Sequence, residues 1–340
     1  MKAALFYGKE DIRIEDVEKP VITDENDVLI KVSYCGICGS DITAFKTGNY
    51  VPGIIIGHEF SGIVEDTGKN VEGITKGNKV VGSSIIPCGK CNYCLSGKPN
   101  LCKNSQLTGI TINGAFAEYV KLPSHAIFKI PEELDLKTAS LAEPLSIVIH
   151  AVYNSKYRIG MNVLVQGSGP IGLLLILILL NSGAGKIIVS DLSNKRLELA
   201  KKLGNIITIN PSEDNIFSRI DNETHGEGMD MVFDTTGAPK SIKSDFTLVK
   251  RGGEIVLLGI PEESVEADIF TTVVNEISLI GAYESYNEFP VSINLLFNKK
   301  IDFSKIITKI IKLEDLIEEG FKPLLNNPSD GKILVKIGGE

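Results

Sequence analysis

Val163-Leu164-Val165-Gln166, running into Gly167-Ser168-Gly169-Pro170-Ile171-Gly172, is the stretch on which the fold turns. A short apolar strand, a G-x-G-x-x-G turn and an apolar helix make up the fingerprint of a dinucleotide-binding unit. Gly167 allows the tight turn, Gly169 lets a pyrophosphate approach the backbone, and Gly172 lets the helix pack closely on the strand. Pro170 and Ile171 open the helix, whose free N–H groups and positive dipole end face the anion. By itself such a motif is also compatible with an ordinary glycine-rich turn. Asp191, about twenty residues further on, supplies the second half of the signal. It ends the next apolar run, 186–190, where a carboxylate can hydrogen-bond both ribose hydroxyls and repel a 2′-phosphate. NAD rather than NADP is therefore expected. Lys195 and Arg196 read as a solvated helix face, or, for Arg196, as a guanidinium lying along the adenine.

Working outward from this motif, residues beyond 162 alternate apolar strands (163–166, 186–190, 231–234, 254–258) with helical stretches such as 195–203. That alternation predicts an α/β, doubly wound parallel sheet of the Rossmann type. The apolar run 170–180 is too short to span a bilayer and reads as a helix buried on the sheet. Before residue 143 the texture differs. Short alternating runs such as Val28-Leu29-Ile30-Lys31-Val32 are punctuated by Gly, Pro and Asn, which reads as a β-rich domain. The last segment pairs an amphipathic helix at 291–297 with a closing strand at 332–336. The expected organisation is a catalytic domain at 1–147, a cofactor domain at 148–284, and a segment at 285–340 that returns to the catalytic domain.

The chain has 340 residues, 43% of them hydrophobic and 23% charged, enough for two buried cores. Its 35 Lys plus Arg against 43 Asp plus Glu leave a net charge of -8 and no basic cluster. Nucleic acid is not expected as a partner, nor is a membrane. The beginning Met1-Lys2-Ala3-Ala4-Leu5 lacks the layout of an export signal, so a cytoplasmic location is expected.

The six cysteines are grouped rather than dispersed. Cys88, Cys91, Cys94 and Cys102 sit in one Gly- and Lys-rich loop at the spacing of a closed, structural zinc site with four thiolate ligands. Disulfides or an iron–sulfur cluster are the alternatives, but the cysteine–proline signature of the ferredoxin type is missing. Cys35-Gly36-Ile37-Cys38-Gly39-Ser40-Asp41 and Gly57-His58-Glu59-Phe60 supply a thiol, an imidazole and carboxylates. One Cys, one His and one carboxylate leave a zinc position open to substrate, as catalysis requires. The competing readings are a redox pair for Cys35 and Cys38 and a core histidine for His58.

Taken together with Gly114-Ala115-Phe116-Ala117-Glu118-Tyr119, these landmarks resemble the zinc-dependent medium-chain alcohol dehydrogenase family over essentially the full length. The resemblance implies a GroES-like β-rich catalytic domain beside the Rossmann domain, and one catalytic and one structural zinc per chain. Ala142-Glu143-Pro144-Leu145-Ser146 looks like the sorbitol and threonine dehydrogenase branch. Cys38 and His58 are then implied as ligands of the catalytic zinc, with Glu59 and Glu143 ligating directly or through water. The implied reaction is hydride transfer between a secondary alcohol and NAD.

Two features depart from the commoner pattern of the family. Thr43 stands where many relatives carry a histidine that serves the proton relay, as in the galactitol-1-phosphate dehydrogenase subgroup. Glu284-Ser285 stands roughly where sorbitol dehydrogenases place Arg-Tyr. A polyol or polyol phosphate is the expected substrate; threonine or a vicinal diol such as butanediol is the alternative. Ser40 is the candidate first proton acceptor, with a turn-stabilising role as the competing reading. Leu258, Gly259, Ile260 and Tyr283 are expected to complete the cofactor site. A homodimer or homotetramer is expected, assembled near 254–260 and 279–283. The readings from other classes are a zinc-loop protein that binds nucleic acid and a sensor that kept the fold without the chemistry.

Overall fold

The computed structural model describes residues 1–326 and 328–338, which divide into two compact units. The first comprises Met1–Ser146, Glu284–Pro328 and Lys332–Glu340; the second comprises Ile147–Tyr283 and Ser329–Gly331.

The first unit is built around a seven-stranded, mainly antiparallel sheet. At its centre lies the strand Asp27–Gly36, buried at every position except Lys31. A strand covered on both faces selects a continuous apolar run, and Val28-Leu29-Ile30 is such a run. This strand pairs with Glu59–Thr67, Tyr119–Pro123 and Lys332–Lys336. Its register sets the site geometry: Gly36 lies opposite both Glu59 and Leu334. A Cβ on Gly36 would come 2.2 Å from Glu59 Oε2, so the close pairing of strand and carboxylate requires glycine there. Phe45 and Phe116 pack edge-on against Phe321, with centroids 5.5 and 6.4 Å away, tying the first strands to the C-terminal segment.

The second unit is a six-stranded parallel sheet. Its spatial order is Ile207–Ile209, Ile187–Ser190, Val163–Gln166, Met229–Asp234, Val249–Leu257 and Ser278–Gly281. In chain order this is 3-2-1-4-5-6, the doubly wound dinucleotide-binding topology. The apolar run after the glycines is the helix Pro170–Asn181, with Pro170 in its first turn and most of its residues buried. No helix among the described residues is long and apolar enough to cross a membrane.

Element ends differ slightly from the periodicity reading. The helix expected at 195–203 is Asn194–Lys201, because the Ser193 side chain caps it by accepting the Arg196 N–H. The strand expected at 254–258 begins earlier, at Val249, since Met229 pairs with Val249 before a register shift. The helix expected at 291–297 is Phe289–Asn298, opened by Pro290.

Candidate active site and metal centres

The central strand delivers Cys38 two residues beyond Gly36, at the entrance to the helix Gly39–Thr47. Its antiparallel partner delivers His58 and Glu59 from the other side. As a result the ligating atoms of Cys38, His58 and Glu59 all lie within 4.8 Å of one another. Asp41, in the first turn of that helix, accepts the Cys38 N–H through Oδ2 at 3.0 Å. Its Oδ1 stands 3.7 Å from His58 Nδ1, and both of these buried atoms lack a hydrogen-bond partner. Two facing polar atoms left unsatisfied in a buried site are costly. A carboxylate behind one ring nitrogen is the arrangement that fixes a metal-ligating histidine, here leaving Nε2 for the metal. Burial opposes a charged His58, but Asp41 and Cys38 outweigh it and lift the imidazole well above its ordinary value. The donor set therefore fits a zinc ion with an open position.

Glu59 has a partner that sequence reasoning missed. Lys332, only 1% exposed, donates to Oε1 at 2.7 Å, to Oε2 at 2.5 Å and to the Ile37 carbonyl at 3.0 Å. A buried lysine needs such pairing, and here the pair holds the carboxylate at the rear of the site. Glu143 stands outside the three-residue group, buried at the start of the helix Ala142–Asn154. Burial pushes its carboxyl up to about 8, partly offset by His58 and reinforced by Glu59 and Glu284. Ser40 is half-buried in the first turn of the Gly39–Thr47 helix, near the hydroxyl of Tyr50. Cys35 is fully buried, and burial raises its thiol well above the ordinary range. His150 bonds Asn154 at 2.8 Å.

Cys88, Cys91, Cys94 and Cys102 form the second cluster, their sulfurs also within 4.8 Å of one another. Cys91 Sγ is 3.5 Å from that of Cys94 and 3.8 Å from that of Cys102. Four bonds of about 2.3 Å in a tetrahedron set sulfurs about 3.8 Å apart, so the cluster has the size of a zinc site. The short helix Asn92–Leu95 turns backbone N–H groups toward Cys91, with that of Cys94 foremost, which lowers the Cys91 thiol to about 6. Thiolate formation is what metal binding requires.

In the second unit, Gly167 has φ 90, and a Cβ on Gly172 would sit 2.0 Å from the Gly167 carbonyl oxygen. Asp191 accepts the Ser168 N–H and hydroxyl on Oδ2 and the Ser193 N–H on Oδ1. The carboxylate thus fastens the glycine turn to the next strand's end. Arg196 lies against Gly169, its guanidinium 3.6 Å from where a Cβ would stand, and its Nε donates to the Asp330 carbonyl. Leu258, Gly259 and Ile260 follow the strand Val249–Leu257, and Tyr283 follows Ser278–Gly281. All occupy the carboxyl edge of the parallel sheet, where such folds bind ligands.

Residues 24–132 match the alcohol dehydrogenase GroES-like domain, and residues 170–298 match the zinc-binding dehydrogenase domain. A sorbitol dehydrogenase of Bacillus subtilis is 35% identical over 92% of this chain and 91% of its own. The solved 2R,3R-butanediol dehydrogenase of Bacillus subtilis superposes with TM-score 0.89 at 34% identity, covering 98% of this chain and 99% of its own. A short-chain alcohol dehydrogenase of Escherichia coli CFT073, in complex with NADH, superposes with TM-score 0.92 at 30% identity over 99% of both chains.

Proposed function

The chain belongs to the zinc-binding alcohol dehydrogenase family, and from that premise we propose that it oxidises a secondary alcohol of the polyol or diol type with NAD as hydride acceptor. The observation that carries this reading is the convergence of Cys38, His58 and Glu59 within 4.8 Å, backed by Asp41 and Lys332. Cys38 and His58 hold the catalytic zinc, with Glu59 and Glu143 as exchangeable or water-bridged ligands. Cys88, Cys91, Cys94 and Cys102 hold a second zinc that stays closed to substrate. Zinc supplies a Lewis acid that lowers the pKa of the alcohol, and the nicotinamide supplies the hydride acceptor.

The chain's own residues do the positioning. Asp41 orients His58, and Lys332 restrains Glu59 so that the ligand set leaves room for the alcohol. Ser40 accepts the proton lost by the substrate hydroxyl and releases its own toward solvent, in place of the relay that Thr43 does not provide. In the second unit, Asp191 engages the adenosine ribose and selects NAD over NADP. The glycine turn from Gly167 to Gly172 receives the pyrophosphate.

Metal analysis together with an NAD-reduction screen tests the reading. Two zinc ions per chain and zinc-dependent oxidation of sorbitol or butanediol are expected. Full activity in a preparation without zinc would overturn it.

A second copy of the chain is the proposed partner. The helix Ile269–Val274 has no buried residue, and Ile269, Phe270, Val273 and Val274 are all exposed. It precedes Ser278–Gly281, the outermost strand of the parallel sheet, whose free edge offers unpaired backbone groups. An apolar patch beside an open edge suits a twofold, sheet-extending dimer. Sedimentation velocity is expected to show a dimer or a larger even assembly, and Val273→Asp to shift it toward monomer.

A further inference from the structure

Resting on the alcohol-oxidising reading above, we propose that Glu284 and Tyr50 form a specificity wall beside the metal site. This wall binds a hydrogen-bond donor, hydroxyl or ammonium, on the carbon next to the carbinol, and it excludes a phosphate at that position. Glu284 is half-buried and has φ 52, a left-handed backbone that a residue with a Cβ adopts only when its surroundings impose it. The next residue imposes it here. Ser285 is fully buried, and its hydroxyl bonds that of Ser146, which in turn donates to the Glu143 carbonyl. The backbone of Glu284 is thereby anchored to the helix turn that carries Glu143.

The side chain is held as well. Ser84, itself buried, donates its hydroxyl to Glu284 Oε2 at 2.7 Å. The same Ser84 hydroxyl reaches Glu143, so one serine links the two carboxyls. Tyr50 is the second, independent observation. It is 8% exposed, its ring packs on Phe6 at 5.9 Å, and its hydroxyl is buried without a hydrogen-bond partner. The polar groups around that hydroxyl are Ser40, Asp41, Cys38 and Glu284. A buried phenol left unpaired costs free energy until something supplies the missing bond, and a substrate hydroxyl or ammonium at this spot would do so.

The charge of the wall decides which substituent is accepted. Glu284 and Glu143 lie on the same side, and the buried cation nearby, Lys332, is taken up by Glu59 and the Ile37 carbonyl. A phosphate at this position would meet carboxylates with no spare cation to bridge them, which rejects it by repulsion as well as by absent contacts. A donor lacking on the substrate leaves Tyr50 unpaired, and such omissions discriminate strongly.

A matched series sharing one carbinol tests this: 2-propanol, 1,2-propanediol, 1-amino-2-propanol and 1,2-propanediol 1-phosphate, with NAD and zinc-loaded protein. Wild type is expected to turn over the diol and the amino alcohol at least about tenfold better in kcat/KM than 2-propanol, and the phosphate worst of all. Glu284→Gln keeps the size and backbone preference of the residue. It is expected to lower the ratio of amino alcohol to phosphate by about tenfold or more, with the diol changed least. Tyr50→Phe is expected to raise KM for the diol while leaving 2-propanol unaffected. A ratio that stays within about twofold in Glu284→Gln, or a wild type that prefers the phosphate, overturns the proposal while the dehydrogenase reading stands. Calorimetric affinities of the same four compounds give a readout without turnover. If none is oxidised yet their affinities keep the expected order and Glu284→Gln compresses it, the wall is supported and the reaction assignment fails.

Discussion

Cys38 and Asp191 belong to different units and serve different ligands, so their loss has separable effects. Cys38→Ser removes the one thiolate of the open metal site. It is expected to cut kcat on the order of a thousandfold, equivalent to several kcal/mol of lost Lewis-acid stabilisation. The variant should still bind NAD with near wild-type affinity by calorimetry and should carry one zinc rather than two. Asp191→Ala is expected to weaken NAD about tenfold and move the NAD to NADP preference toward NADP, read from kcat/KM with each cofactor. A preference that does not move would remove Asp191 from the ribose. Both residues were legible in the sequence because each sits in a short motif whose spacing carries the chemistry. Lys332 was not legible. It is 273 positions from Glu59, and a lysine in an apolar strand reads as solvent-facing until the register with Gly36 places it in the core.

Secondary-structure elements were read best where a local steric demand dictates them. The glycine turn is such a place, since φ 90 at Gly167 and the contact of Gly172 with its carbonyl both arise within six residues. Gly172→Ala is therefore expected to distort the turn rather than merely crowd it, because the obstructing atom is backbone. NAD affinity should fall about tenfold or more while both zinc ions and the far-ultraviolet circular dichroism remain, which calorimetry and metal analysis would show. The cysteine loop was equally plain, its spacing bringing four sulfurs to tetrahedral distances. The wall of Tyr50, Ser84 and Glu284 was not. Ser84 and Glu284 are 200 positions apart, and Glu284 was noticed only as a departure from a pattern, with no hint that a buried serine holds it. Ends of strands and helices shifted for local reasons too: the cap at Ser193 and the pairing of Met229 with Val249 add or remove a few residues that periodicity does not register.

At the scale of the whole molecule, stability depends on pH through a carboxyl remote from both metal clusters. Asp245, fully buried in the helix Pro239–Leu248, accepts the Gln166 side-chain N–H at 2.9 Å through Oδ1, while Oδ2 has no partner. Burial, reinforced by the Asp234 carboxylate and partly offset by Gln166, pushes Asp245 up to about 8. In the unfolded chain the same group titrates near 3.9. The folded state thus holds the proton more tightly, so ionising Asp245 costs stability, and the cost grows as pH rises from about 4 to about 8. Each pH unit in that window removes about 1.4 kcal/mol at most. Asp245→Asn keeps the bond from Gln166 and cannot ionise. Its Tm is expected to exceed that of wild type by more at pH 8 than at pH 6, a difference of about 2 kcal/mol in stability between those two pH values. Thermal denaturation of zinc-loaded protein at both pH values checks this. An equal offset at pH 6 and pH 8 would mean that Asp245 does not change its protonation in the folded protein across that range.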